Sequence, residues 1–444
     1  MRQTLKICFC LAAALNSVSL RADLDPAEEL RQLIRTANYS QLEYRLKAGL
    51  DPQSRLPDGS LPLAWAAEMQ DAQAMGLLLA HGASPDDAGP RANPFRPIIV
   101  ACQYGEEQVL DLLLDANADV AVTGPDNIPA LSLCAGHASS KIVARMINAG
   151  ALPDETDAKG QTPLMWAAIN GRVDNVELLL RLGADANRQT TGRFTPLFFA
   201  VKSGRLDVAE AIIAGGGDPT YQTPDSTSVM QLAMYQHNYA FAGAMAKRAI
   251  DLSRYDRNGR QLLHAAVIAN QPELVDLLLA QGADVNAVTK PSLVKWRYES
   301  NFRAGAYEFP IIPSLMLAAL QGHSEILSRL ADAGADTKFL TPEGDDVLLM
   351  AASSGDPETL HVALGLNTDV NAINKRGDTA LHKVLANGTG EALVEMLKML
   401  AQHGARADIE NSKGMTAKAI AEDEHFKNKD TFAALFNHTK EQGL

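Results

Sequence analysis

The sequence is short of cysteine, of aromatic residues and of positive charge. Four cysteines in 444 residues are too few for a disulfide scaffold. Aromatic residues make up 5% of the chain, against 46% hydrophobic and 21% charged residues, and this ordinary globular composition excludes a wholly disordered or collagen-like chain. The net charge of −13 argues against nucleic acid as the main partner, because phosphate binding requires a basic surface.

Long hydrophobic runs are also missing, apart from one near the start of the chain. Residues 1–22 have the layout of a secretory signal peptide, in which Arg2 and Lys6 precede an apolar run over 7–18 and small residues follow. The run is too short to span a bilayer as a stable helix. We therefore expect a periplasmic or secreted protein with no membrane segment after cleavage. A frayed apolar N-terminus is the alternative interpretation of the same residues.

A period of 33 residues dominates the rest of the chain, which excludes the division into about three domains that its length alone suggests. We call Pro163 and its equivalents the marker position. Successive markers are 35, 33, 33, 33, 33, 33, 52, 33, 33 and 37 residues apart, at Pro62, Pro97, Ala130, Pro163, Pro196, Val229, Leu262, Ser314, Val347, Ala380 and Ala417. A further repeat at the N-terminus brings the number to about twelve.

Residues at fixed distances from the marker explain this period. An apolar residue follows it by one position in ten repeats, and a small residue follows it by four in nine, which lets neighbouring helices approach closely. Glycine eight residues after the marker ends a first helix, and Gly or Asn twenty after it supplies the left-handed cap of a second helix. Thr162-Pro163 and Thr195-Pro196 supply an N-cap hydroxyl and a first-turn proline. Each repeat is therefore predicted to be helix, turn, helix and loop.

The segments 160–187 (GQTPLMWAAINGRVDNVELLLRLGADAN) and 259–286 (GRQLLHAAVIANQPELVDLLLAQGADVN) resemble ankyrin repeats. The resemblance covers nearly the whole chain after the signal peptide, and the N-terminus suggests the exported, bacterial type. It implies an all-α ankyrin-repeat solenoid of about twelve repeats, continuous over 23–437, with a C-terminal tail at 438–444. The repeats around Ala130 and Val229 depart from the pattern, since Ala130 lacks the Thr-Pro pair and Gly136 falls two residues early.

One interruption of the period is a candidate interaction site. The 52-residue spacing contains 19 extra residues, and the inserted region, 288–309, is both aromatic and basic. Aromatic and Arg side chains dominate the binding energy of protein interfaces. The candidate residues in the insert are Trp296, Arg297, Tyr298, Phe302 and Arg303. An insert that only packs back on its own scaffold is the alternative.

In ankyrin-like repeats the loop tips and the ends of the first helices line a concave groove. By phase, the candidate partner-binding residues on that face are Phe95, Tyr104, Ile169, Phe194, Tyr235, Arg257, Arg260 and Leu320. Bulky apolar groups at positions not needed for stacking are typical of a binding surface, with simple surface variability as the alternative.

The chain carries little catalytic patterning. No zinc-protease, Cys-x-x-Cys, phosphate-loop or nucleophile-elbow motif occurs, so we expect no catalysis, no cofactor and no metal. An enzyme whose site joins His323 and Glu308 is the remote alternative. His264 and His382 are predicted to hydrogen-bond loop backbone. Cys102 and Cys134 are predicted to stay as buried thiols. Stacked helices lie about 8–10 Å apart, which exceeds the limit of about 7 Å between the α-carbons of a disulfide.

The function predicted from the sequence is non-catalytic binding of a protein or peptide by a monomer. The concave face and the 288–309 insert are the expected contact regions. The alternative is a binder of a small molecule or glycan, in which aromatic platforms such as Trp296 and Tyr298 stack on a sugar ring.

Overall fold

The computed structural model of the chain describes residues 25–55, 59–87, 96–248, 251–292, 311–366, 368–423 and 426–436. The predicted signal peptide lies outside the described residues. The described chain contains 24 α-helices and only isolated β-bridges, so the predicted all-α fold is confirmed for this part of the protein. It divides into two compact units, Met1–Asp185 and Ala186–Leu444, and each is described by itself.

The N-terminal unit contains five helix pairs. Their first helices are α1 (Pro26–Arg35), α3 (Pro62–Glu68), α5 (Pro97–Tyr104), α7 (Ala130–His137) and α9 (Pro163–Ile169). Their second helices are α2 (Tyr39–Lys47), α4 (Ala72–Ala80), α6 (Glu107–Asp115), α8 (Ser140–Asn148) and α10 (Val173–Arg181). First helices pack on neighbouring first helices and second helices on second helices, so the unit is a double row of stacked layers.

The C-terminal unit contains seven pairs of the same kind. Its first helices are α11 (Pro196–Ser203), α13 (Val229–Tyr235), α15 (Leu262–Ile268), α17 (Ser314–Gln321), α19 (Val347–Ser354), α21 (Ala380–Asn387) and α23 (Ala417–Ala421). Its second helices are α12 (Leu206–Ala214), α14 (Tyr239–Ala246), α16 (Pro272–Ala280), α18 (Ser324–Asp332), α20 (Pro357–Leu364), α22 (Gly390–Gln402) and α24 (Lys429–Phe436). At 13 residues, α22 holds the four extra residues of its repeat, whereas the other second helices have eight or nine.

The core lies between neighbouring helices, at the predicted positions. The apolar residues one position after the marker are all 2% exposed or less, from Leu63 to Leu381. The small residues four positions after the marker are fully buried in all nine repeats that have one. Because each repeat buries these positions against its neighbours, the stack is held together by a series of local interfaces.

Loops before the first helices form short hairpin turns, which we call fingers (residues two to six before the marker). In the finger of α9, the backbone N–H of Asp157 donates to the Gln161 carbonyl at 3.0 Å, and Ala158 donates to the preceding finger at Asp126, at 2.9 Å. We call the surface formed by the fingers and the last turns of the first helices the inner face of each unit, and the surface formed by the second helices its outer face.

Two local predictions about the helix ends are wrong. Thr162 accepts a hydrogen bond from the backbone N–H of Met165, but the Thr195 hydroxyl is buried without a partner among the described residues and caps nothing. Gly388 has an extended backbone (φ −74°), because left-handed Gly390 opens the longer α22 instead.

The repeat of Ala130 departs from the pattern, as predicted, because α7 ends at Ala138 without a left-handed residue. Side chains of the next repeat compensate for this. The buried Asn175 amide donates to the carbonyls of Ala135 and Ala138 at 2.7 and 3.0 Å, and Arg172 donates to Ala138 at 2.7 Å.

Cys102 and Cys134 form a disulfide between α5 and α7, so the prediction of two thiols is wrong. Both residues are fully buried, and their α-carbons are 4.5 Å apart. The prediction compared the spacing of helix axes with a limit that applies to α-carbons. Because each α-carbon lies about 2.3 Å from its own axis, two that face each other are closer than the axes by up to about 4.6 Å.

Candidate functional site

Several of the candidate site residues lie outside the described part of the chain. These are Phe95 and the insert residues Trp296, Arg297, Tyr298, Phe302 and Arg303. Residues 288–292 at the start of the insert and residues 311–313 just after it are described, however, and they show where it leaves the stack. The remaining candidates belong to the inner faces of the two units.

The insert begins and ends at the tip of one finger. Val288 and Pro313 form an antiparallel bridge, and the Thr289 N–H donates to the Ile312 carbonyl at 3.1 Å. These are the pairings that close an ordinary finger, as Gln222 and Ser228 do before α13. The 19 extra residues are therefore added within the turn of the finger.

The repeats on either side of the insert stack directly on each other. The backbone N–H of Asp336 donates to Asn286 Oδ1 at 2.8 Å, and Arg329 forms an ion pair with Asp276. His264 is buried between these repeats, where its Nδ1 accepts from the Gln261 N–H and its Nε2 faces the Ala287 carbonyl at 3.0 Å. The insert thus leaves the helical stack intact.

The root of the insert lies against the preceding finger. The Lys290 N–H donates to the Gly259 carbonyl at 2.7 Å, and its ammonium lies 3.9 Å from the centre of the Tyr255 ring. Gly259 has a left-handed backbone (φ 72°), and a Cβ there would come within 1.9 Å of the Lys290 carbonyl oxygen. Glycine at this position therefore permits the close approach of the insert to the finger before it.

In the N-terminal unit, the inner face presents apolar groups in the last turns of the first helices. Tyr104 is 55% exposed at the end of α5, and Met69 is 45% exposed just after α3. Ile169, at the end of α9, is half-buried. The predicted exposure of Tyr104 is confirmed, and Ile169 contributes only part of its surface.

In the C-terminal unit, Tyr235 is the most firmly held of the candidates. It lies at the end of α13, and its hydroxyl donates to the buried carboxylate of Asp256 in the next finger. Asn258 Nδ2 donates to the same hydroxyl at 2.6 Å. Burial and the neighbouring Asp256 carboxylate raise the pKa of Tyr235. The ring is 37% exposed, so Tyr235 presents a rigid aromatic surface whose polar end is already bonded.

The same finger carries Arg257 and Arg260. Arg257 is exposed at the tip and forms a 3.6 Å ion pair with Asp225 of the preceding finger. A hydrogen bond from the Thr223 hydroxyl, aided by the Arg257 charge, lowers the pKa of Asp225. Arg260 is half-buried, and its backbone N–H donates to Asp256 Oδ1 at 2.8 Å. The structure therefore brings Tyr235, Arg257 and Arg260 together around one finger.

Phe194 and Leu320 are further from this cluster. Phe194 is 42% exposed at the base of the finger before α11, where its ring lies 5.5 Å from that of Phe198. Leu320 is half-buried in the last turn of α17.

Two cations on the inner face of the C-terminal unit were not among the partner-binding residues predicted from the sequence. Arg193 occupies the third position before its marker, where most other repeats have glycine, and aligning the fingers by phase would have revealed it. Lys290 is exposed at the root of the insert.

The histidines considered as possible catalytic groups form hydrogen bonds with the backbone. His264 and His382 bond the carbonyls of Ala287 and Met415, as predicted. Burial lowers the pKa of His323, whose ring bonds the Ile268 backbone, while Glu308 lies outside the described residues. Among the described residues, no group of three or more His, Cys, Asp or Glu side chains could hold a metal ion. No helix within those ranges is long and apolar enough to cross a membrane.

A cavity of about 270 Å³ lies beside α13 and α15 of the C-terminal unit, and it is largely polar. Its lining includes Gln222, Ser228, Asp251 and Arg254, but neither described end of the insert. It therefore does not provide the pocket beneath the insert that a sugar-binding site would require.

A family profile described as ankyrin repeats (3 copies) matches residues 131–223, 197–289, 315–411 and 348–442, which together cover more than half of the chain. Relatives include the nuclear factor NF-kappa-B p105 subunit of Gallus gallus, 29% identical over 37% of this chain and 16% of that protein. Ankyrin repeat and SOCS box protein 6 of Homo sapiens is 34% identical over 26% of this chain and 25% of its own length. An L-asparaginase of Dirofilaria immitis is 29% identical over 31% of this chain and 20% of the enzyme. The chain thus matches a quarter or less of each of these relatives.

Proposed function

Because the chain belongs to the ankyrin-repeat family, whose repeats generally mediate protein–protein interaction, we propose that it binds a protein or peptide through its concave inner face and the 288–309 insert. It does so as a non-catalytic monomer without cofactor or metal. The observation that carries the proposal is the arrangement around Tyr235. Its hydroxyl is bonded by two residues of the adjacent finger while its ring stays exposed.

A side chain held in this way loses little conformational entropy when a partner covers it, which is a property of strong interface residues. We expect the insert and the inner face to form one contact region. Lys290, at the root of the insert, is hydrogen-bonded to the finger that contains Asp256 and Asn258. A partner on the inner face next to Tyr235 therefore comes close to the place where the insert emerges.

The same proposal places the protein in the periplasm or outside the cell. The signal-peptide pattern of residues 1–22 and the buried Cys102–Cys134 disulfide both support export, since disulfides persist in oxidising compartments. Fractionation of producing cells, with thiol labelling of denatured protein, tests this. Mature protein in the exported fraction without free thiols is expected, and full-length reduced protein in the cytoplasm contradicts it.

Partner capture from the native host tests the binding function. We expect deletion of residues 290–308, or Tyr235→Ala, to reduce the recovery of specific partners by about ten-fold, the loss typical of a strong interface residue. Tyr44→Ala is the matched control, because Tyr44 is 65% exposed on the outer helix α2. Unchanged recovery after the deletion shows that the insert is not a contact, and unchanged recovery after both changes contradicts the proposal.

The partial similarity to an L-asparaginase provides a direct check on the non-catalytic part of the proposal. We expect no asparagine hydrolysis above background from the purified mature chain. Turnover that survives repurification would show that the protein is an enzyme.

A further inference from the structure

The inner face of the C-terminal unit carries positive charge that the described chain does not neutralise, although the whole protein has a net charge of −13. Arg193, Lys202 and Lys290 are exposed there, and none forms an ion pair with another described residue. On the outer face of the same unit the arrangement is different. Arg329 lies between the carboxylates of Asp276 and Glu325, so its charge is balanced within the protein.

Arg193 stands at a position of the finger where the backbone disfavours a side chain. Its φ is 65°, in the left-handed region, and glycine occupies the equivalent position in the fingers that contain Gly259, Gly344, Gly377 and Gly414. Non-glycine residues in this region are strained, and such strain is concentrated at functional sites. Arg193 directs its guanidinium to the Gln189 amide at 3.1 Å and gains no ion pair within the described chain. Its one side-chain hydrogen bond among the described residues, to Gln189, does not require an arginine at this position.

Arg193 belongs to one continuous surface with the finger of Tyr235 and the root of the insert. The Tyr221 hydroxyl donates to the Arg193 carbonyl at 2.8 Å, which ties the first of these fingers to the second repeat. The ion pair of Arg257 with Asp225 connects the second finger to the third. The third finger is bonded to Lys290. Cations therefore stand on the first and third of these fingers and at the root of the insert, whereas the second finger carries Asp225, which is paired with Arg257.

Two exposed aromatic groups lie beside these cations. Phe194 follows Arg193 directly, and Tyr235 contacts the finger of Arg257 through Asp256 and Asn258. Because successive side chains of an extended peptide point to opposite faces, this surface fits a peptide whose contacting face carries both acidic and apolar side chains. A phosphate backbone would not use the aromatic groups in this way without unpaired bases, and the negative charge of the whole protein opposes it.

We infer that this surface, formed by Arg193, Lys202, Arg257 and Lys290 with Phe194 and Tyr235, binds an extended peptide segment rich in Asp and Glu. The inference rests on the proposed function and names the chemistry of its partner. From Arg193 to Lys290 the surface crosses three repeat spacings of about 10 Å, or about 30 Å, which an extended peptide of about nine residues covers at about 3.4 Å per residue.

The first test uses a fluorescein-labelled peptide of about nine residues in which pairs of Glu alternate with pairs of Leu, so that each face of the extended chain carries both, and three repeat spacings set its length. Its control has Gln in place of Glu, and binding to the mature chain is followed by fluorescence anisotropy. We expect the Gln peptide to bind at least about ten-fold more weakly, and the affinity for the Glu peptide to fall as salt screens the charges. Equal affinities, or tighter binding of a single-stranded oligonucleotide of the same length, overturn the inference.

A pair of matched variants separates binding from stability. Arg193→Gly removes the charge and the backbone strain together, and Ser226→Gly removes the same strain (φ 64°) at the equivalent position of the next finger without changing the charge. We expect each variant to keep or raise the melting temperature, by about 2 °C for a unit of this size. Only Arg193→Gly should weaken binding of the Glu peptide, by about five-fold, the effect of losing one exposed charge contact.

The variants also distinguish this inference from the proposed function. If Arg193→Gly and Ser226→Gly bind the Glu peptide equally well, the inference is wrong, whatever the partner. If the chain captures its native partner through Tyr235 but prefers the Gln peptide, the partner chemistry is wrong and the proposed function stands. If partner capture is insensitive both to Tyr235→Ala and to the insert deletion, the proposed function fails independently of the peptide result.

Discussion

The two units use the same repeat but differ on their inner faces. In the N-terminal unit the last turns of the first helices expose apolar groups, as at Met69 and Tyr104, together with one cation, Arg35, and one carboxylate, Glu68. In the C-terminal unit, exposed cations such as Arg193 and Lys202 accompany Phe194 and Tyr235. The buried positions are alike in both units. The comparison shows that stacking constrains the core of a repeat and leaves the chemistry of its inner face free to vary.

The units also differ in how their layers are connected. The N-terminal unit has a covalent link between α5 and α7, whereas the contacts between layers described for the C-terminal unit are hydrogen bonds, ion pairs and apolar packing. The disulfide closes a sequence separation of 32 residues, about one repeat. The predictions that follow test whether each difference belongs to one unit alone.

The largest expected effect is removal of the disulfide by Cys102→Ala with Cys134→Ala. A loop of 32 residues corresponds to a loss of about 3–4 kcal/mol in the free energy of unfolding. Because repeats interact with their nearest neighbours, amide hydrogen exchange should accelerate in α5 to α8 and stay unchanged in α15 to α22. Equal acceleration in both regions would contradict the local role of the link, and no change would show that it is not formed.

The next effect is a loss of stability at acid pH, in the C-terminal unit. Burial lowers the pKa of His264 to about 4 from its ordinary value of 6.5. The unfolded chain therefore binds a proton between about pH 6.5 and 4 that the folded chain does not bind, so stability is lost as the pH falls through this window. Between pH 8 and pH 5 the loss is about 2 kcal/mol.

Urea unfolding at the two pH values measures this loss, and His264→Gln provides the comparison. Glutamine carries one acceptor and one donor, as the neutral imidazole does, but it does not titrate. The variant should lose most of the pH dependence. If it keeps the full dependence, His264 is not its source.

A smaller effect is expected from Asn175→Ala in the N-terminal unit. The change removes the donor that serves the end of α7, leaving the Ala135 carbonyl unpaired and the Ala138 carbonyl bonded only by Arg172, which costs about 1–2 kcal/mol. Asn170→Ala is the matched control, because the exposed Asn170 amide bonds only Trp166 of its own helix, at 2.9 Å. Equal losses for the two variants would show that the compensation at α7 is not important.

The smallest effect compares two threonines at equivalent positions in the two units. Thr162→Val should cost about 0.5–1 kcal/mol because it removes an N-cap acceptor. Thr195→Val should be neutral or slightly stabilising, because it replaces a buried hydroxyl that caps no helix. Thermal unfolding of the two variants measures both changes, and a larger loss for Thr195→Val would contradict the structure.

Periodic features of the fold were predictable because they depend on residues of one repeat. The small residues at Ala167 and its equivalents and the long α22 follow directly from spacing and helical register. The disulfide, the unused Thr195 hydroxyl and the role of Asn175 depend on the geometry between repeats, which the period does not specify. For the site, the sequence predicted Tyr235 but not its bonds to Asp256 and Asn258, and the strain at Arg193 appears only in the backbone.

Site-specific photo-crosslinking in the producing cells tests the central claim, binding on the inner face, most directly. Benzoylphenylalanine would replace Tyr104 in the N-terminal unit, the exposed Gln236 beside Tyr235 in the C-terminal unit, and Tyr44 on the outer helix α2. We predict adducts with a partner protein from position 236 and none from position 44, with position 104 showing whether the apolar inner face takes part. Adducts from position 44 alone, or equal yields from all three positions, would contradict the account.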